Sequence, residues 1–147
     1  MEVYQNKNRC SGCTACINSC PVNAITMVAD QEGFKYPQID ETTCTECDLC
    51  QKICPFHEGY FRDTNLHIPK VYAAKHINDD IRIASSSGGM FTALSDYILQ
   101  KDGVIYGVAF DNDFRVCHKK AETAQERDKF RGSKYVQSDL GNIFQDV

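Results

Sequence analysis

Apolar and polar positions along the chain follow two periods. Met90, Phe91, Leu94, Tyr97 and Ile98 fall at i, i+1, i+4, i+7 and i+8, which predicts a helix with one apolar face. Gly103, after Lys101-Asp102, is expected to close it. Val104–Phe110 reads as a buried strand, Asp111-Asn112-Asp113 as its turn, and Phe114–His118 as the return. Nearer the N-terminus, Ala24–Val28 and Phe34–Ile39 read as strands joined by Asp30-Gln31-Glu32-Gly33. Pro37 implies that the second of these lies at a sheet edge. Val71–Ile77 predicts a further strand. Thr123-Ala124-Gln125-Glu126 has the form of a capping box opening a short helix that ends near Gly132. Tyr135–Ser138 reads as extended, with Ser138 placed to cap a last helix over residues 139–147. Residues 61–70 show neither period and read as a linker, packed in part through Leu66 and Ile68. The pattern predicts an α+β chain in three parts: a domain over 1–60, the linker, and a small α/β segment over 71–147.

Composition adds limits. The apolar fraction of 42% and charged fraction of 24% are those of a globular protein. No apolar run is long enough to span a bilayer, so no membrane partner is expected. Met1–Lys7 holds no apolar signal core, so a cytoplasmic location is expected. Charge is unevenly divided: residues 1–60 carry four Lys/Arg against eight Asp/Glu, whereas 61–147 carry twelve of each. An acidic first segment argues against nucleic acid and suits a redox protein partner with a basic patch. A plain solvated acidic face accounts for the charge equally well.

The nine cysteines change the picture most. Cys10, Cys13, Cys16 and Cys20 precede Pro21, and Cys44, Cys47, Cys50 and Cys54 precede Pro55. Both runs read C-x2-C-x2-C-x3-C-P, 34 residues apart. One metal ion needs only a pair of ligands from a loop, so zinc sites show C-x2-C pairs with longer spacers. Three cysteines at steps of three suit a larger object with a metal at each corner. Disulfides fit poorly without an export signal. The small residues Ser11, Gly12, Thr14 and Ala15 would let backbone N–H groups approach the sulfurs. Cys117 has no partner spacing and reads as a buried strand thiol. His57, His67, His76 and His118 are scattered, and none is expected to be catalytic.

With both runs, both prolines, Ala24-Ile25 and Gly33, residues 1–60 resemble the bacterial two-[4Fe-4S] ferredoxins. In that run the fourth cysteine ligates the other cluster. The resemblance implies one cluster on Cys10, Cys13, Cys16 and Cys54, and a second on Cys44, Cys47, Cys50 and Cys20. His57-Glu58-Gly59 stands where a second apolar strand would start, so that strand is expected to be missing.

Two polar stretches of the C-terminal part could carry chemistry. Ser85-Ser86-Ser87-Gly88-Gly89 precedes a helix, where hydroxyls and backbone N–H groups can bind a phosphate. Ordinary serine capping explains it as well. Arg127, Lys129 and Arg131-Gly132-Ser133-Lys134 could meet a pyrophosphate, or could simply be a solvated helix C-terminus. Ser86–Leu94, Val104–Phe110 and Arg131–Ser138 in this order resemble the N-terminal part of the coenzyme F420 hydrogenase/dehydrogenase beta subunit. The resemblance implies a flavin, FAD, relaying electrons between the clusters and a two-electron partner such as a deazaflavin coenzyme. It places Ser86, Ser87, Gly88, Gly89, Arg131, Ser133 and Lys134 near the flavin or substrate. Members of that family run on beyond this length, so the flavin site is expected to be incomplete. The reading is an electron-transfer protein with two [4Fe-4S] clusters, belonging to or derived from a flavin oxidoreductase subunit. A ferredoxin-type carrier with a docking C-terminal segment and a zinc-stabilised interaction module are the competitors.

Overall fold

The computed structural model describes residues 3, 4, 6–57 and 69–146. The chain forms two compact units, Met1–Asn65 with Leu140–Val147, and Leu66–Asp139.

In the first unit, α1 (Ala15–Asn18) leads to an antiparallel hairpin of β1 (Ile25–Ala29) and β2 (Lys35–Ile39), followed by α2 (Leu49–Lys52). At the hairpin turn the Asp30 carboxylate accepts from the N–H groups of Glu32 and Phe34, both at 3.0 Å, and from Lys7 at 2.6 Å. The Lys7 ammonium and the two amides hold the Asp30 carboxyl below its ordinary range. Gly33 takes the left-handed conformation, φ +87°, that the turn requires. Pro37 faces Met27 at a pair with no ladder hydrogen bond, because Ala24–Asp40 and Asp30–Phe34 fix the bonded pairs. Its missing N–H therefore costs the sheet nothing. Val3, Cys16, Ile25 and Cys50 form the core, with Tyr4, Ile17, Cys20 and Ile39 packed against it. Half of that core is cysteine, so whatever the sulfurs hold is part of the packing. The expectation for residues 58 and 59, and the packing of Leu66 and Ile68, lie outside the described residues.

The second unit holds α3 (Asp79–Ile83), α4 (Met90–Leu99), the hairpin β3 (Ile105–Phe110)–β4 (Val116–Ala121), and α5 (Ala124–Asp128). Its turn repeats the first one: the Asp111 carboxylate accepts from the N–H groups of Asp113 and Arg115 at 2.9 Å. Phe114 stands where Gly33 does and is left-handed too, φ +60°. The capping box is present, Thr123 accepting from the Glu126 amide while Glu126 accepts from the Thr123 amide.

Several expectations are corrected. Val71–Ile77 is extended but has no sheet partner among the described residues; His76 N–H donates to the Gly88 carbonyl at 2.6 Å. Helix α3 has no counterpart among the expected elements, although Asn78 caps it by accepting from the Asp80 and Ile81 amides. Serine does not cap α4: its N-cap is Gly89, left-handed at φ +79°, with no side-chain bond. Asp102, not Gly103, takes the left-handed position after α4; Gly103 is needed because a Cβ there would stand 2.6 Å from Ile98 Cγ2. Strand β3 is half-buried, since it pairs only with β4. Cys117 on β4 is half-buried as well.

The apolar face of α4 points outward. Leu94 is 64% and Tyr97 56% exposed, while Thr92 on the opposite face is 1% exposed and Ser95 is buried. The small polar face is inward because it meets the buried Arg127 of α5. Ser138 caps no helix. It lies 2.9 Å from His118 Nδ1, and Asp139 exchanges backbone bonds with β4 that hold the chain extended. A single 3-10 turn, Ile143–Gln145, follows in the first unit.

Candidate metal centres and a polar pocket

The two cysteine runs fold alike. Helices α1 and α2 are 34 residues apart, as the cysteines are. Gly12 and Thr14 in the first loop have positive φ, and so do their counterparts Glu46 and Asp48 in the second. A left-handed residue other than glycine costs about 1–3 kcal/mol, and such strain collects at functional sites. Left-handed residues on either side of Cys13 and Cys47 curl each loop around a centre. Small side chains are not the reason, because the second loop achieves the same curl with glutamate and aspartate.

Each loop borders one pocket. Cys10, Cys13 and Cys16 share theirs with Cys54, beside Val3, Tyr4, Met27 and Phe56. Cys44, Cys47 and Cys50 share theirs with Cys20, beside Val22, Ile25, Ile39 and Leu49. The fourth cysteine of each run thus stands with the three of the other. Ala24 N–H donates to Cys20 Sγ at 3.3 Å, and Glu46 N–H to Cys44 Sγ at 3.4 Å. Burial pushes the Cys16 thiol up to about 12 and raises Cys10 and Cys50. Thiolates in such apolar pockets need a compensating cation, which a thiolate-loving metal supplies. Among the described residues no three Cys, His, Asp or Glu groups converge on a point where one ion could sit. Among the described residues, which include all nine cysteines, none is in a disulfide. Four separated sulfurs around an apolar hollow fit a cluster with a sulfur ligand at each corner.

Cys47 in the second cysteine pocket is exposed, whereas Cys10, Cys13, Cys16 and Cys54 of the first are buried or half-buried. Asp40, Glu41 and Glu46 around it are exposed too, and no Lys or Arg occurs between Lys35 and Lys52.

In the second unit a pocket of about 230 Å³ joins the two polar stretches. Ser85, Ser86, Ser87 and Gly89 form one wall with Phe91; Phe130, Arg131, Gly132 and Ser133 form the other. Ser86, Ser87 and Ser133 make no hydrogen bond among the described residues, and α4 opens with its first amides uncapped. Of the residues the sequence pointed to, Gly88 and Lys134 do not line it. Gly88 is pressed against the 71–77 segment, where an added Cβ would stand 2.5 Å from the Ala74 carbonyl oxygen. The Lys134 ammonium is held by four backbone carbonyls, and burial lowers its pKa.

Arg127 does not line the pocket. It is 3% exposed; its guanidinium donates to Asp96 at 2.8 Å, Asp128 at 2.7 Å, the Thr92 carbonyl at 3.2 Å and the Ser95 hydroxyl. Arg131 bonds Asp128 at 2.9 Å and Thr92 Oγ1 at 3.3 Å. This network clamps α5 onto α4 and so fixes the two pocket walls. Phe130 sits over Gly107, where a Cβ would stand 2.6 Å from Phe130 Cγ. No periodicity or spacing marks this contact; an isolated glycine within a strand run is the one available hint.

Two known families match the chain in sequence. Residues 9–57 match the 4Fe-4S dicluster domain. Residues 71–145, half of the chain, match the N-terminal domain of the coenzyme F420 hydrogenase/dehydrogenase beta subunit. The chain belongs to this family. The F-type subunit of the F(420)H(2) dehydrogenase of Methanosarcina mazei is 23% identical over 144 residues, covering 92% of this chain and 40% of the relative. Ferredoxin-3 of Chlorobaculum tepidum is 40% identical over 52 residues, 31% of this chain and 76% of the relative. A ferredoxin of Saccharopolyspora erythraea is 33% identical over 60 residues, 41% of this chain and 49% of the relative. The chain thus spans about two fifths of the length of its long relative. As a ferredoxin-type domain joined to the family's N-terminal domain, the protein carries iron–sulfur clusters and serves electron transfer. Among the described residues no helix is long and apolar enough to cross a membrane.

Proposed function

We propose that the chain holds two [4Fe-4S] clusters and passes single electrons through them to or from a flavin. The first cluster would take Cys10, Cys13, Cys16 and Cys54, and the second Cys44, Cys47, Cys50 and Cys20. The observation that carries this reading is the membership of the two cysteine pockets, each with three sulfurs from one run and one from the other. When bound, the clusters supply one-electron storage at a potential set by ligation, burial and hydrogen bonds to sulfur. The chain's own part is to hold the sulfurs in place, exclude water with Val3, Met27, Ile25 and Ile39, and donate backbone N–H groups to sulfur.

The polar pocket suits one end of FAD. Its volume is below the 300–1,000 Å³ of a site for a whole small molecule, so it would enclose part of that cofactor. Ser86, Ser87, Gly89, Arg131 and Ser133 would face the flavin, with Gly88 and Lys134 shaping the walls behind them. The protein is then part of a flavin-containing oxidoreductase whose two-electron partner is a deazaflavin coenzyme, in keeping with the name of its long relative. The acidic surface beside Cys47 favours a redox protein with a basic patch as the one-electron partner. Ligation by reduced thiols suits the cytoplasm.

Flavin titration tests the second half of this reading. Protein with clusters reconstituted without oxygen is expected to bind FAD with Kd on the order of micromolar. Absence of binding at that level would leave the alternative, a ferredoxin-type carrier whose second unit only docks a partner.

A further inference from the structure

Lys134 stands just past the pocket wall and reaches back under it. Its ammonium is 3.0 Å from the carbonyl oxygens of Arg131 and Gly132, and 3.2 Å from those of Lys129 and Phe130. It also lies 6.0 Å from the centre of the Phe110 ring on β3. In a planar trans peptide the carbonyl of one residue and the N–H of the next point in opposite directions. With the Arg131 and Gly132 carbonyls turned toward the ammonium, the N–H groups of Gly132 and Ser133 face the other way. Neither has an acceptor among the described residues. Both residues line the polar pocket, and nothing stands within 4 Å of where a Gly132 Cβ would be. Gly132 is left-handed, φ +81°, the conformation in which consecutive amides form a concave anion-binding turn.

The geometry points to Lys134 as a positioning residue of the flavin site: by gripping these carbonyls it aims the Gly132 and Ser133 amides at the flavin's phosphate, without touching the flavin itself. This rests on the flavin reading above and adds which part of the cofactor the pocket takes. It also moves Lys134 from the set of direct contacts to the set that shapes them. Arg131, which does line the pocket, is the side-chain cation available to the phosphate.

The test compares FMN with riboflavin, which lacks the phosphate, on the full chain with clusters in place and at fixed ionic strength. Wild-type protein is expected to prefer FMN by tenfold or more. Lys134→Met, which cannot donate, should lose about tenfold in FMN affinity while riboflavin binding stays within twofold. Lys134→Gln, which keeps donors and loses the charge, should stay within threefold of wild type for FMN. Lys134→Ala replaces Lys134→Met if the latter does not fold. A parallel loss in Lys134→Gln would mean that the charge acts on the phosphate directly, and would overturn the inference. Equal weakening of FMN and riboflavin, or wild-type affinity in Lys134→Met, would overturn it too. Wild-type protein binding both probes alike, or binding FAD but neither probe, sinks this inference alone; binding none of the three sinks the flavin reading and this inference with it.

Discussion

Cys20→Ala is expected to remove the cluster at Cys44, Cys47 and Cys50, all more than twenty residues away, and to spare the one beside it. Iron should fall from about eight to about four per chain, the content of one [4Fe-4S] cluster. Cys54→Ala should do the reverse, at the cluster of Cys10, Cys13 and Cys16. Single variants cannot say which cluster is lost, but pairs can. Cys20→Ala with Cys47→Ala touches one cluster twice and should retain about four irons. Cys20→Ala with Cys13→Ala touches both and should retain about none. If each run held its own cluster, these two results would be exchanged. The reason for expecting the crossed outcome is that Cys20 borders the pocket of the second run and Cys54 that of the first. Crossing also ties together halves whose core is otherwise only a few side chains, two of them cysteines.

Arg127→Leu is expected to loosen the second unit and open the polar pocket. The change deletes four hydrogen bonds from one buried guanidinium, takes its cation away from Asp96 and leaves Asp128 with Arg131 alone. Breaking a fully buried pair costs about 3–5 kcal/mol. Asp96 and Asp128 keep 35% and 43% of their side-chain surface in water, so they can be rehydrated. The cost here is accordingly set lower, at about 2–3 kcal/mol. Hydrogen exchange locates the effect: amides of α4 and α5 should lose protection by one to two orders of magnitude, while those of β1 and β2 stay unchanged. Flavin affinity should fall with it, because Phe130, Arg131 and Ser133 are carried by α5 and the turn after it. Uniform loss across both units, or no change in α4, would contradict the role given to Arg127.

How far the sequence can be read depends on the kind of signal. Cysteine spacing is legible as a repeat whatever the rest of the chain does. The repeat of 34 residues in the cysteines recurs in α1 and α2 and in the left-handed residues around Cys13 and Cys47. Hairpin turns and the Thr123 capping box are legible too, since each is settled by side chains within four residues. Direction is not. Periodicity finds the two faces of α4 but does not say which of them lies inside. What decides is a polar partner 35 residues on: Arg127 needs the Thr92 carbonyl and the Ser95 hydroxyl, and only small side chains let it approach. Val71–Ile77 has a strand's composition, but strand formation needs a neighbouring strand, and among the described residues this segment has none; it packs on Gly88 and Gly89 instead. Lys134 falls in the expected region but does not line the pocket; its ammonium meets backbone carbonyls, and which way a peptide carbonyl points is not written in residue type.

The most direct measurement is the iron and acid-labile sulfide content of protein purified without oxygen. About eight of each per chain are expected, with the brown colour of [4Fe-4S] clusters. A folded, colourless protein without iron, or one carrying two zinc ions instead, would contradict the cluster assignment.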